Sequence, residues 1–249
     1  MKISVVTAVR NGAVTLPLML DSLHRQRHGD LEHVVQDGAS SDGTVELLRR
    51  QGLAGMALVS AADGGIYEAI NAGIRRATGE VIGLLHADDV LADGDVLTRV
   101  AAALQDPMID GVYGDLQYVA RDDPSRVIRH WRAGAFAPGA LARGWMPPHP
   151  TLYLRRDVFE RAGLYDTSYR ISGDYDGMLR FLTFAQVRLA YIPHVMVQMR
   201  MGGASNRSFA QMIRKSREDY RAIRRHGVGG VGTLMGKNLS KLPQYWAQV

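Results

Sequence analysis

A chain of 249 residues with 46% hydrophobic and 22% charged residues is long enough for one substantial core or two small domains, and this composition excludes a disordered chain. It has no cysteine, which excludes disulfides, thiolate nucleophiles and thiolate metal sites and leaves only oxygen or imidazole to bind a cation. The net charge of +5 is uneven: residues 207–249 hold 9 Lys or Arg against 2 Asp or Glu, while residues 1–206 hold 21 against 23, so the main body is not basic.

The chain opens on a strand-like apolar run at 3–9, which Arg10 and Asn11 cut short. That run is too brief for a signal peptide, and no stretch of 18 uncharged apolar residues follows, so a cytoplasmic location is expected. Further strand-like runs lie at 31–36, 57–60 and 81–86, separated by helix-like stretches at 16–25, 43–51, 67–77 and 95–104. Near-continuous apolar strands alternating with helices of that length predict βαβ units and a parallel sheet. Ligands of such sheets bind in the loops at the carboxyl ends of the strands.

Strand-like pieces at 112–119 and 126–131 come next, then a Gly/Pro/Ala-rich segment at 133–150 that reads as a binding loop or lid. A strand at 151–154, helices near 157–162 and 176–184, and a strand at 187–192 complete the expected α/β domain. From 209 to 223 the spacing is helical, with Phe209, Met212, Ile213, Ser216, Tyr220 and Ile223 on one face and Arg214, Arg217, Arg221, Arg224 and Arg225 on another. Gly227 to Gly232 matches G-x-G-x-x-G, but no strand precedes it and 17 residues are too few for the βαβ unit that motif needs.

Three loops carry acids whose chemistry has two readings each. Asp37, in Asp37-Gly38-Ala39-Ser40-Ser41-Asp42-Gly43-Thr44, suits a helix cap with a turn glycine, or a charge-assisted grip on a nucleobase or ribose. Asp88 and Asp89 end the strand at 81–86; adjacent carboxylates there call for neutralisation, which a divalent cation on diphosphate oxygens would provide. The bland reading, a cap for the next helix, is already served by Asp93 and Asp95. Asp174, in Ser172-Gly173-Asp174-Tyr175-Asp176, is either a helix cap or a general base. His194 reads as ordinary packing after its strand, and His149, in the 133–150 loop, reads equally well as structural or as acceptor-side.

ISVVTAVRN at 3–11, DGASSDGT at 37–44, DGGIYEAINAG at 63–73, LLHADD at 84–89 and SGDYDGMLRF at 172–181 resemble, in order and spacing, glycosyltransferase family 2. The resemblance spans about residues 1–205 and is nearest to bacterial enzymes of exopolysaccharide and cell-surface glycan assembly. It implies a GT-A αβα sandwich on a mostly parallel, Rossmann-like sheet. Residues 1–206 would form the catalytic domain, with a nucleotide-sugar half (1–110) and an acceptor half (111–206), followed by a basic helical tail at 207–249.

It also implies inverting transfer of one sugar from a nucleoside-diphosphate sugar to a glycan or lipid-linked acceptor, assisted by Mn²⁺ or Mg²⁺. Thr7, Ala8, Arg10 and Asp37 would frame the nucleoside, with Asp63, Asn71, His86 and Ala87 on the nucleotide-sugar. Asp88, with Asp89 beside it, would hold the metal, and Asp174 would be the base. Trp145 and His149 would lie on the acceptor side. One departure stands out: His86 occupies the place of the first acid of the family's DxD motif, and neutral imidazole brings no negative charge to a cation.

Two other functions remain open on the residues alone, a nucleotidyltransferase that makes a nucleotide-sugar and a non-catalytic glycan-binding module. TAVRNGAV at 7–14 lacks the Gly-rich, Arg/Lys-containing loop expected of the first, and the presence of both Asp88 and Asp174 argues against the second. The basic tail suits a solvated helix face or an anionic membrane surface on the inner side of the cell; with no nucleic-acid module beside it, nucleic acid is not expected as a partner.

Overall fold

The computed structural model describes residues 1–121, 123–137, 139–201 and 209–240. Successive residues of β1 (Ile3–Val9) enter opposite cores: Ile3, Val5 and Val9 pack into one, Val6 and Ala8 into the other. A strand covered by helices on both sides requires this, since its side chains alternate and neither face meets water. β2 (Leu31–Asp37), β3 (Ala57–Ser60) and β4 (Val81–Leu84) run parallel to it in the order β3-β2-β1-β4.

The sheet continues through β8 (Tyr153–Arg155), β6 (Gly111–Val119), β9 (Leu189–Arg200) and β5 (Asp89–Leu91), while β7 (Val127–Trp131) pairs with β6. Only β6 and β9 are parallel in this second half, so the sheet is mixed beyond β4. Helices α1 (Leu16–His24), α2 (Thr44–Gln51) and α4 (Val96–Ala103) cover one face through Leu16, Met19, Leu48 and Val100. Helices α3 (Ile66–Arg76), α5 (Arg156–Ala162) and α6 (Gly173–Thr183) cover the other through Tyr67, Ile70, Val158 and Met178. The result is an αβα sandwich.

Several expected boundaries shift. β4 stops at Leu84, two residues early: Leu85 N–H makes the last bond to β1, at the Val6 carbonyl, and the chain then turns at 86–89. The strand expected at 187–192 is the 12-residue β9, bent against β6 by register shifts at Asp115. The edge strand β5 has no counterpart in the predicted elements; it pairs antiparallel with 197–199 of β9, on the edge opposite the one that β6 occupies. α6 begins at Gly173, so Asp174 sits inside its first turn instead of ahead of it. Asp95 makes no cap for α4; Asp93 accepts the Asp95 N–H at 2.8 Å and pairs with Arg99 and with His194, which lies within β9.

The C-terminal segment departs furthest from expectation. It forms α7 (Phe209–Arg225) and a second helix, α8 (Val231–Leu239), joined across the glycine-rich 227–230 turn. Of the predicted apolar face of α7, Ile223 docks against the core while Met212, Ile213 and Tyr220 stay in solvent. Met212, Ile213 and Tyr220 are 57%, 40% and 38% exposed, while Asp219, Ala222 and Ile223 are buried. The side chain of Phe209, Trp246 and the boundary expected at 206/207 lie outside the described residues. Among the described residues no helix is long and apolar enough to cross a membrane.

Candidate active site

The carboxyl ends of β1 and β2 are tied into one surface. Asn11 N–H donates to the Ser40 hydroxyl at 2.7 Å, Gly12 N–H to Thr44 Oγ1 at 2.9 Å and Ala13 N–H to Asp42 at 3.1 Å. Asn11 and Ala39 take left-handed backbone (φ 54° each) to make these turns. The buried Asp37 carboxylate accepts hydrogen bonds from Ser40 N–H (3.0 Å) and the Ser60 (2.6 Å) and Ser40 (2.5 Å) hydroxyls, which stabilise its charge without a ligand. Beside it, a Cβ on Gly38 would come 2.7 Å from the Asp63 carboxylate and 3.4 Å from the Arg10 Cβ. The missing side chain leaves room for Arg10 and Asp63 to pack against Gly38, next to the buried Asp37.

Thr7 and Asn71 are buried as well. Thr7 is fully buried, and its hydroxyl donates to the Leu85 carbonyl at 2.8 Å with the buried His33 ring 3.1 Å away. Burial, with help from His24, lowers the His33 pKa to about 3, so the ring is neutral. Asn71, also buried, exchanges two hydrogen bonds with the Tyr165 backbone (2.7 and 2.9 Å). Both side chains spend these hydrogen bonds within the protein, and Ala8 is likewise buried.

After β4 the chain leaves the sheet as His86-Ala87-Asp88, all half-exposed, and Asp89 N–H closes a turn on the His86 carbonyl. Arg200 braces this turn by donating to the Asp88 carbonyl (2.9 Å) and the Thr15 carbonyl (3.0 Å). Asp89 is different. Its side chain is buried in β5 with both oxygens unpartnered. Burial, then the Asp88 charge, push its pKa well above the ordinary range, against the pull of Arg200. Among the described residues no cluster of three or more His, Asp or Glu is arranged around a metal position.

His149, Tyr165 and Asp174 gather near His86 after β4. Asp174 is half-exposed at the start of α6; its Oδ1 accepts from the Tyr175 N–H at 2.8 Å and from the Tyr67 hydroxyl at 3.3 Å. That hydroxyl also reaches the Ile171 carbonyl at 2.6 Å. His149 is buried with Nε2 3.0 Å from the Tyr165 hydroxyl, and its ring centroid lies 6.2 Å from that of His86. Burial lowers its pKa to about 4; Asp174 opposes and His86 assists. Those couplings place His86, His149 and Asp174 in one electrostatic neighbourhood. Trp145 is anchored by its indole N–H on the Ala133 carbonyl (2.8 Å) and packs against Tyr113 and the exposed Phe136.

The sequence reading missed Tyr67, Tyr165, Ser60, Arg170 and Arg200. Their only local signals were amphipathic spacing in α3 or ordinary polarity, and each acquires its role through a partner far away in the chain.

Residues 4–168 match the family model described as Glycosyl transferase family 2. A PGL/p-HBAD biosynthesis glycosyltransferase of Mycobacterium tuberculosis is 34% identical over 209 residues, which cover 82% of this chain and 78% of that protein. A Nostoc sp. protein described as an uncharacterized glycosyltransferase is 28% identical over 230 residues, covering 88% and 70%.

Among solved structures, the Pyrobaculum calidifontis mannosyltransferase PcManGT in complex with GDP-Man and Mn²⁺ has TM-score 0.68 at 23% identity, over 99% of this chain and 73% of that one. S. aureus TarS 1–349 in complex with UDP-GlcNAc has TM-score 0.70 at 16% identity over 92% of this chain, and this chain spans only 66% of that fragment. These likenesses show a shared fold, GT-A. With the family match across two thirds of its length and a relative above 30% identity, the chain belongs to glycosyltransferase family 2.

Proposed function

We propose that this glycosyltransferase moves one sugar from a nucleoside-diphosphate sugar to a hydroxyl of a glycan or lipid-linked acceptor, with Asp174 as the general base. The observation that carries the proposal is the half-exposed Asp174 carboxylate, held on the Tyr67 hydroxyl within electrostatic reach of His86 and His149 at the mouth of the strand ends. The fold neighbours in complex with UDP-GlcNAc and GDP-Man support a nucleoside-diphosphate sugar as donor. Arg10, Asp37 and Asp63 would take the nucleoside, with His86 and Ala87 alongside the sugar. The acceptor would approach past Phe136 and Trp145, whose rings offer an apolar surface suited to a sugar face.

In the reaction the acceptor O–H gives its proton to Asp174 as its oxygen bonds the anomeric carbon. The anomeric C–O bond breaks and its electron pair leaves with the diphosphate. One carboxylate acting in line gives inversion, by analogy with direct displacement at glycosides. His149, neutral because buried, keeps its Nε2 on Tyr165 and adds no positive charge to compete for the base.

The donor chemistry fits a weakly held divalent cation. Asp88 presents a half-exposed carboxylate, and Asp89 behind it holds two unpartnered oxygens, while His86 brings no carboxylate. Mn²⁺ or Mg²⁺ held there would offset the charge that develops on the leaving diphosphate. Asp88→Asn is therefore expected to remove the Mn²⁺-dependent part of UDP or GDP binding with the fold intact. Calorimetry of either nucleotide with and without Mn²⁺ checks this; equal affinity in mutant and wild type takes Asp88 out of the metal site.

The apolar residues that α7 leaves in solvent favour membrane placement as part of this function. Met212, Ile213 and Tyr220 stand exposed beside Arg214, Arg217 and Arg224, and Val231, Met235 and Leu239 form an exposed i, i+4, i+8 stripe on α8. An interfacial surface of this kind gains from apolar insertion and about 1 kcal/mol per basic residue near anionic lipid. The chain is expected to co-sediment with vesicles containing phosphatidylserine at low salt and to leave them at high salt. Equal recovery with pure phosphatidylcholine vesicles at low salt refutes the charge component.

A further inference from the structure

α7 meets the catalytic half through a carboxylate. Glu218 accepts hydrogen bonds from three successive backbone N–H groups: Arg170 at 3.2 Å, Ile171 at 2.8 Å and Ser172 at 2.9 Å. These residues lead directly into α6. Its N-cap residue, Ser172, makes no side-chain cap and instead turns its hydroxyl toward the Lys215 carbonyl of α7. An anion at a helix start gains from the helix dipole, and bonds to a charged acceptor are stronger than neutral ones. Glu218 thus holds, from another element, the backbone that leads into α6.

The peptide segment it holds is the one that places the base. Asp174 follows two residues after Ser172, and the Tyr67 hydroxyl that touches its carboxylate is itself fixed on the Ile171 carbonyl. Arg170 ties the segment to the donor side through the Gly64 carbonyl at 3.0 Å. A second hold lies one turn further along α6, where buried Asp176 faces His226 at 2.9 Å. α8 extends the contact to the acceptor loop: Thr233 donates to the Ala142 carbonyl at 2.8 Å, and Gly144 sits so close that a Cβ there would be 2.2 Å from the Lys237 nitrogen.

Resting on the reading of Asp174 as base, we propose that Glu218 is a positioning residue for it, and that the α7–α8 hairpin is part of the acceptor side of the site. The carboxylate fixes the 170–172 backbone, and through it the Tyr67 contact and the distance from Asp174 to the incoming hydroxyl. An appended solvated helix would instead leave both unchanged on mutation.

The test uses the full chain with E218A and, as a milder variant that keeps volume and one acceptor oxygen, E218Q. UDP with Mn²⁺ probes the donor half. Turnover is read as nucleoside diphosphate released from UDP-GlcNAc or GDP-mannose over a panel of alkyl glycosides. E218A is expected to lower kcat roughly 10- to 100-fold, as displacement of a catalytic group by about 1 Å does, with UDP affinity unchanged and E218Q intermediate. Amide exchange at Ile171 and Ser172 should accelerate in E218A while that of the remote helix α1 does not, a readout that needs no substrate.

The double variant E218A/D174N separates the two readings. If Glu218 acts through Asp174, the double variant turns over no more slowly than D174N alone. Multiplied losses, or unchanged exchange at Ile171 and Ser172, overturn the positioning role. A D174N enzyme that keeps its turnover overturns the base instead.

Discussion

Asp174→Asn is expected to lower turnover by about 10²–10⁴ while nucleoside diphosphate affinity stays at the wild-type value. The amide keeps the shape of the carboxylate, and its oxygen still accepts the Tyr175 N–H and the Tyr67 hydroxyl, so the start of α6 has no reason to move. Only the basicity is lost. That assigns the effect to the transition state, where the proton moves, and leaves donor binding aside. His149 cannot take over: burial already lowers its pKa to about 4, and the Asp174 charge is the influence that raises it, so removing that charge makes the ring a still weaker base. Nucleoside diphosphate release measures kcat and calorimetry measures the affinity. Turnover within a few-fold of wild type would assign the proton to another group.

Lys237→Met should be the most destabilising of the single substitutions considered. Lys237 on α8 and Asp219 on α7 form a 2.7 Å ion pair with side chains 4% and 3% exposed, and the ammonium lies 3.5 Å from the Tyr175 ring centroid. Burial pulls the lysine below its ordinary pKa, and Asp219, followed by Asp174, hold the charge in place. Removing one partner strands a buried carboxylate, a loss of about 3–5 kcal/mol where nothing relaxes. For a chain of this size that corresponds to roughly 6–20 °C in Tm. The Lys237→Met/Asp219→Leu pair should recover much of it, because a buried ion pair replaced by apolar groups is often neutral. Thermal unfolding of the three proteins decides: a single mutant within about 1 kcal/mol of wild type would mean that water reaches the pair.

Much of the architecture was legible because its causes are local. Period-2 burial in β1 and 3.6-period burial in α1 and α3 are written in consecutive residues, and the first four strands fell within two residues of their predicted ends. The loop after β4 and the segments at 133–150 and 172–181 carry the residues that the family resemblance singles out, so His86, Asp88, His149 and Asp174 were legible as candidates. Thr7 and Asn71 sit inside the motifs, yet their hydrogen-bonding capacity goes to the Leu85 carbonyl and the Tyr165 backbone.

The sequence by itself determined the alternation of strands and helices, the absence of thiol chemistry and the placement of acids at strand ends. The tertiary structure decided which of those acids are buried. Asp88 and Asp89 are adjacent, but one stays on the open turn and the other enters β5, because β9 supplies a pairing edge from more than a hundred residues away. Likewise α7 carries a clear apolar stripe and still docks through Glu218, Asp219 and His226. Three backbone N–H groups before α6, a buried lysine on α8 and Asp176 all needed partners, and an unmet buried polar group costs more free energy than an exposed methionine or isoleucine.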